Sequence, residues 1–187
     1  MRQLIVKIHL SVDGFCAKPN GDNTFLFDSM DAQLTEWVVA DVWKAGLHLM
    51  GAKTYRDMAS HWPTSKEPFA PPMNEIPKAV FSKSLTEASW GKTEIIRGEL
   101  TPEIARLKAQ PGKDIIAHGG ASFLRSLISA NLVDEYHLVT HPALLGEGLA
   151  IFTGLKQPRA LKLAQSRAYP AGAVVNIYRP TARDAEG

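Results

Sequence analysis

The sequence predicts an α/β domain built on a mainly parallel central sheet that ends in an antiparallel hairpin. Three observations carry this. Short apolar segments with strand patterning alternate with segments of helical periodicity along most of the chain. Glycine-bearing turns follow several of the strand segments, where a strand hands over to a helix. The last two strand segments, residues 161–169 and 173–178, are joined by Pro170-Ala171-Gly172, which is hairpin chemistry.

The elements follow in order. Residues 4–12 read as a strand in which Leu4, Val6, Ile8, Leu10 and Val12 alternate with polar positions, implying one buried face. Asp13-Gly14 breaks it, and Pro19-Asn20-Gly21-Asp22 is a loop with turn chemistry. Residues 34–45 read as a helix with Leu34, Val38 and Val42 on one face. A short strand lies between Gly46 and Gly51, and residues 54–60 read as helical. Prolines at 63, 68, 71, 72 and 77 make residues 62–77 a long surface loop, neither helix nor central strand. Strands follow at 78–82 and 93–97, then a helix at 102–109 with proline in its first turn, where a missing N–H costs little. Residues 115–117 are a strand, 122–130 a helix and 134–140 a strand ending at His141-Pro142. Residues 1–180 read as one domain and 181–187 as a frayed tail.

Composition narrows the function classes. The 187 residues carry 21 Lys and Arg against 19 Asp and Glu, a net charge of +2. That balance argues against nucleic acid or an acidic membrane surface as partner. The single cysteine, Cys16, leaves no intrachain disulfide and no cysteine metal cluster, and suits a reducing compartment. Residues 1–7 lack the apolar core of a secretory signal, and no stretch approaches the ~18 apolar residues of a membrane span. A cytoplasmic protein is expected. His137 and His141 make no trusted metal-ligand spacing, so no metal is expected.

In such sheets ligands bind beyond the carboxyl ends of the strands. Four ends carry unusual residues: Ser11-Val12-Asp13-Gly14-Phe15, Gly51-Ala52-Lys53-Thr54, Ser82-Lys83-Ser84 and Gly119-Gly120-Ala121-Ser122. The last is the most informative. A strand, a glycine pair and a helix start put free N–H groups and a positive dipole end at one point, a cradle for phosphate or pyrophosphate. By default it is a tight turn. No P-loop is present, because Ala52 stands between Gly51 and Lys53 where the motif joins glycine directly to lysine, and no Gly-x-Gly-x-x-Gly occurs.

Taken in order, Ser11-Val12-Asp13-Gly14-Phe15, Leu49-Met50-Gly51-Ala52-Lys53-Thr54-Tyr55, Lys78-Ala79-Val80-Phe81-Ser82, Ile116-Ala117-His118-Gly119-Gly120 and Pro142-Ala143-Leu144-Leu145-Gly146-Glu147-Gly148 resemble the dihydrofolate reductase fold. The branch they are most similar to is the C-terminal reductase domain of bacterial riboflavin-biosynthesis enzymes (RibD) and its stand-alone relatives. The resemblance covers about residues 2–179. It implies a three-layer domain and an NADPH-dependent reductase acting on a C=N or C=O bond of a pyrimidine- or pterin-like heterocycle. The activity it resembles is 5-amino-6-(5-phosphoribosylamino)uracil reductase. The deaminase half of the bifunctional enzymes, with its Cys-x-x-Cys zinc motif, is missing, so another heterocycle is an open reading.

The resemblance assigns roles residue by residue. Gly51, Lys53 and Thr54 face the adenosine-side phosphates. Ser82 and Lys83 approach the 2′-phosphate. Gly119, Gly120, Ala121 and Ser122 wrap the pyrophosphate, with a cis Gly-Gly peptide. Val12, Asp13, Gly14 and Phe15 lie over the nicotinamide, Phe15 and Trp62 being candidates for substrate contact. It also implies a homodimer, for which residues 136–139 and 173–178 would supply apolar surface at the sheet edge, leaving the cofactor cleft open. The chain departs from dihydrofolate reductases proper at the carboxylate three residues before a helix tryptophan. Counting back from Trp37 gives Leu34. The proton donor is therefore unassigned among Asp13, Asp31, Glu36 and His118.

Plainer readings stand beside these. Lys53 and Lys83 are solvated lysines, Asp13-Gly14 a turn, Asp28 and Asp31 helix-entry residues, His48 a core histidine, and Trp37, Trp43 and Trp62 core aromatics. Cys16 has no partner base and is not read as a nucleophile. Two other function classes remain: a nucleotide-dependent phosphotransferase, disfavoured by the missing P-loop and magnesium carboxylates, and a non-catalytic nucleotide-binding relative.

Overall fold

A computed structural model describes residues 1–181. Its elements in chain order are β1 (Leu4–Ser11), α1 (Ala32–Val42), β2 (Ala45–Gly51), α2 (Ala52–His61), α3 (Ala70–Glu75), β3 (Lys78–Phe81), β4 (Thr93–Ile96), α4 (Leu100–Ala109), β5 (Asp114–Ala117), α5 (Ala121–Ser129), β6 (Glu135–His141), β7 (Leu161–Ala168) and β8 (Val174–Pro180). The eight strands form one sheet in the order β4-β3-β2-β5-β1-β6-β8-β7. β1 to β6 run parallel, and β8 and β7 add the expected antiparallel hairpin.

Two apolar clusters make the layers. On one face, Ile104 and Leu107 of α4 and Leu124 and Leu127 of α5 pack on Leu4, Val6, Leu47 and Leu49. On the other, Leu34, Val38 and Val42 of α1, Tyr55 of α2 and Met73 of α3 pack on Ile5, Met50, Val80 and Ile116. The helix stripe expected on α1 is the one buried. A sheet covered on both faces accounts for the near-continuous apolar strands β2 and β5.

That coverage corrects the reading of β1. Its polar positions were expected to face solvent, but β1 is a central strand, and Lys7 and Ser11 are as buried as Leu4 and Val6. Lys7 is held by Asp41 of α1 at 3.1 Å and by the Val38 carbonyl at 3.0 Å, with the Trp37 ring 5.1 Å away. Asp41 also meets His137 Nδ1 at 2.9 Å, and His137 Nε2 meets Glu135 at 2.6 Å, which in turn takes Arg179. One network of charges therefore ties β1, α1, β6 and β8.

Two further expectations are corrected. Residues 62–77 are not all loop, because Ala70–Glu75 is a helix whose prolines fall in its first turn, where no N–H is needed. Its carboxyl end is held by the buried Lys78 ammonium, which donates to the Asn74 and Ile76 carbonyls and lies 4.4 Å from the Trp90 ring. The apolar residues proposed as dimer surface are interior: Ala173, Val175, Ile177, Tyr136 and Val139 are all buried by the chain's own elements. The exposed edge is β7, every residue of which faces solvent. Residues 24–29 form a 3-10 turn that the sequence did not announce. The expected tail lies outside the described residues, apart from Thr181, whose N–H bonds the Ala160 carbonyl.

Burial alone would raise the Asp41 carboxyl, but its His137 and Lys7 contacts outweigh that and hold it well below the ordinary value. A depressed carboxylate stabilises a fold fully above its unfolded pKa, ~3.9, and the contribution is lost below that value as pH falls toward the lower folded one. Asp41→Asn is expected to cost about 3–5 kcal/mol near neutrality, because Lys7 is left buried without its counter-charge. It should also flatten the acid loss of stability below pH ~4. Urea denaturation across pH checks both, and an acid limb as steep as the parent's would refute the assignment.

Candidate functional site

The chain leaves β2 toward β3 on one side and leaves β5 toward β6 on the other. β2 and β5 are neighbours, so their carboxyl ends flank a topological switch point, where α/β sheets bind ligands. Both ends start helices. α2 begins at Gly51 and α5 at Gly120, and neither start is capped by a side chain. Their first-turn N–H groups are left for a ligand or water.

The two turns are fitted to each other. Thr54 donates its hydroxyl to the Gly119 carbonyl. Gly120 takes φ of +80°, and a Cβ there would come 2.8 Å from Thr54 Oγ1. A Cβ on Gly51 would press on Phe123 at 3.3 Å. All described peptide bonds are trans, Gly119–Gly120 included, against the cis bond expected. The chain reverses through the left-handed glycine instead.

At the end of β3, Ser82 Oγ accepts from the Ser84 and Leu85 amides, shaping a tight turn. Lys83 is exposed beside it. Arg97 braces the same turn by donating to the Lys83 and Leu85 carbonyls, a cation the sequence reading missed. Lys53 points outward and pairs with Asp57 at 2.8 Å. Ala121 is buried and Ser122 exposed at the first turn of α5.

Beyond β1, the segment 11–17 is clasped to the segment 142–150. Val12 N–H donates to the Ala143 carbonyl, and Cys16 N–H to that of Leu149. Phe15 bridges Ala150 and lies against Gly148, where a Cβ would meet the Ala17 carbonyl at 2.3 Å. Asp13 is part of the clasp. Its carboxylate accepts from the Ser11 hydroxyl at 2.5 Å and from the Leu145 and Gly146 amides at 3.0 and 2.7 Å. These bonds, that of Ser11 foremost, hold its pKa below the ordinary value.

The other carboxylate candidates are placed elsewhere. Asp31 caps α1 through the Leu34 amide and also holds the Ala171 amide of the β7–β8 turn. Glu36 lies on the outer face of α1, in a shallow groove of about 620 Å³ with Met30, Trp43 and Pro68. Trp62 ends α2, roughly 16 Å along its axis from Gly51, and packs on Phe69, so it is not brought to the crevice. Asp28 is exposed in the 3-10 turn.

His118 does lie at the crevice, at the end of β5. Its Nε2 bonds His48 Nδ1 at 2.8 Å, and His48 Nε2 bonds the Pro72 carbonyl at 3.0 Å. A second chain was not foreseen: His9 Nδ1 bonds His141 Nε2 at 2.8 Å, and His141 Nδ1 bonds Ser29 at 2.7 Å. The signal for it was the period-two polar stripe Lys7, His9, Ser11, which marks the other buried face of a central strand. Among the described residues no group of three metal-ligating side chains is clustered, and no helix is long and apolar enough to cross a membrane.

Comparison with known proteins fits this geometry. The RibD C-terminal domain family matches residues 2–175. The chain belongs to that family. It is 31% identical over 183 residues to the uncharacterized protein YyaP of Bacillus subtilis, covering 95% of this chain and 94% of that one. It superposes on a Shewanella sp. PV-4 protein named for riboflavin biosynthesis with TM-score 0.77 at 24% identity, covering 96% of this chain and 99% of that one. A pyrimidine reductase-like protein of Corynebacterium diphtheriae gives TM-score 0.67 at 15% identity, with 96% and 92% covered. A bifunctional pyrimidine deaminase and uracil reductase of Thermotoga maritima gives 0.68 at 14% identity, and the chain spans 57% of that longer protein. These structures share the fold, and the RibD C-terminal family is one of reductases.

In this RibD-type domain the role of Asp13 is testable by itself. Asp13→Ala is expected to expose the Leu145 and Gly146 amides while the sheet stays intact. Hydrogen exchange should show lost protection at those two amides and unchanged protection in β1 and β6. Unchanged protection at Leu145 and Gly146 would show that the clasp does not depend on this carboxylate.

Proposed function

We propose that this chain is an NADPH-dependent reductase that reduces a C=N or C=O bond of a small pyrimidine- or pterin-like heterocycle, akin to 5-amino-6-(5-phosphoribosylamino)uracil reductase. The observation that carries the reading is the meeting of two uncapped helix starts at the Gly51 and Gly119-Gly120 turns. Bare glycine backbone, free amides and two positive dipole ends suit a pyrophosphate. NADPH, when bound, supplies the hydride. The protein's part is to bind, orient and exclude water. Gly51, Thr54 and Gly119 to Ser122 would hold the phosphates, and the turn formed by Ser82 and Lys83, with Arg97 behind it, would take the 2′-phosphate. The clasped segment 11–17, with Val12 and Gly14, would cover the ring that reacts. Lys53 is assigned a lesser part than its sequence position implied, since Asp57 already engages it.

Each charge-assisted contact to a 2′-phosphate is worth about 1.5–3 kcal/mol, so two give roughly 100-fold or greater preference for NADPH over NADH. Fluorescence titration with both cofactors should show it, and Lys83→Ala should shrink it. Gly120→Val, folded by circular dichroism, should bind neither. Equal dissociation constants for the two cofactors would sink the reading.

The same family reading carries a homodimer. With the earlier candidate surface buried, the contact is assigned to β7, an unpaired edge that exposes Leu161 and Leu163 and would extend the sheet across a two-fold axis. Light scattering at micromolar concentration should give twice the chain mass and Leu163→Lys should halve it; a monomeric parent rejects the assignment.

A further inference from the structure

Two histidines open onto the carboxyl-end crevice from the α1–α3 face of the sheet. β1 and β5 are paired with Val6 opposite Ala117, so His9 lies two residues further along than His118. With strands about 4.8 Å apart and about 3.3 Å of rise per residue, the two backbone positions are about 8 Å apart. Each ring has one nitrogen tied inward, His118 Nε2 to His48 and His9 Nδ1 to His141. The other nitrogen of each bonds nothing in the protein. Among the described residues the only buried side-chain polar atom without a partner is the Tyr169 hydroxyl, so each free nitrogen keeps some solvent contact, His9 being half-buried and His118 buried but for its edge.

The direction of each chain follows from its inner end. The Pro72 carbonyl can only accept, so His48 carries its proton on Nε2 and offers a lone pair at Nδ1. His118 must then donate from Nε2, which leaves Nδ1 as a bare acceptor at the crevice. In the second chain the Ser29 hydroxyl is buried and its only partner is His141 Nδ1, so it donates there. His141 then donates from Nε2 to His9 Nδ1, and His9 presents Nε2–H outward. The rings are neutral because burial, joined in His9, His48 and His118 by the charge of Lys7, disfavours the imidazolium; His48 and His141 are lowered to about 4.

We propose that His118 Nδ1 and His9 Nε2–H are a fixed acceptor and donor that recognise the N–H and C=O groups of a uracil-type ring. A lactam or imide edge offers both complements. An anionic group at His118 would meet a lone pair, so a neutral heterocycle is selected. This deepens the reductase reading and rests on it for the role of the crevice.

Long-range proton–nitrogen NMR of the full chain with labelled histidine tests it, with uracil as the probe and 1,3-dimethyluracil, which has no N–H, as the comparison. The free protein should show His48, His118 and His9 protonated at Nε2. Uracil should move His118 Nδ1 and His9 Nε2, and dimethyluracil should leave His118 in place. His118→Gln keeps an amide donor toward His48 and moves the acceptor off the position of Nδ1. It should weaken uracil binding about three- to tenfold without altering NADPH affinity. A proton on His118 Nδ1, equal shifts from both compounds, or no shift with uracil would overturn the recognition, and with NADPH binding intact the reductase reading would survive. Uracil recognition in a protein that binds no NADPH would do the reverse.

Discussion

A buried ammonium organises this molecule. Lys7 stands in the middle of a central strand, and its charge cannot be left in an apolar layer without a partner. Asp41 supplies that partner from α1, which fixes the helix against β1 at one register. Asp41 is then shared with His137, and His137 with Glu135, so β6 and β8 are locked by the same charges. Burial pushes His9, His48 and His118 toward the neutral form, and the field of the ammonium adds a smaller push in the same direction. The interaction that positions the scaffold thereby reinforces the protonation that burial sets on the crevice wall.

The crevice itself is a consequence of strand order. Because β2 and β5 send the chain in opposite directions, α2 and α5 lie on opposite faces and their amino ends face each other across one gap. Thr54 and Gly119 close the base of that gap with a hydrogen bond, and Gly120 must lack a side chain for the two turns to approach. The clasp of residues 11–17 on 142–150 gives the gap a wall that is covalently part of β1. The gap proposed for a dinucleotide therefore arises from the topology, with side chains adding charge at the rim, at Lys83 and Arg97.

Most of the fold was legible because period-two and period-3.6 patterns report burial directly. The glycine turns were legible because glycine is placed where backbone must approach something. What escaped was long-range. Lys7, His9 and Ser11 alternate as an exposed stripe would, and only the position of β1 between β5 and β6 makes that stripe interior. The apolar residues of β8 looked like interface for the same reason: periodicity shows that a face is buried, not by what. The short helix at Ala70–Glu75 was hidden by prolines that would break a helix interior but are harmless in a first turn. Asp13 and Asp31 looked like candidate acids, yet both are spent on backbone amides far away in sequence. Arg97 is one basic residue among many until the loop it braces is known.

The placement of acids also explains why the imidazole chains keep one polarity. A free carboxylate beside His9 or His118 would favour the imidazolium, make both ring nitrogens donors and erase the acceptor at His118. Three acids on this side of the sheet are committed or turned away. Asp31 serves amides, Glu36 lies on the outer face of α1, and Asp41 is sealed between Lys7 and His137. Dihydrofolate reductases proper place a carboxylate on the first helix for protonation of the pterin. Here Leu34 occupies that offset and is buried in the core. A carboxylate set close to either imidazole chain would favour the charged ring and undo the neutral donor–acceptor wall proposed above. With Leu34 at that offset, the first helix brings no carboxylate there that could recharge the histidine chains, in keeping with the neutral ring proposed for the crevice.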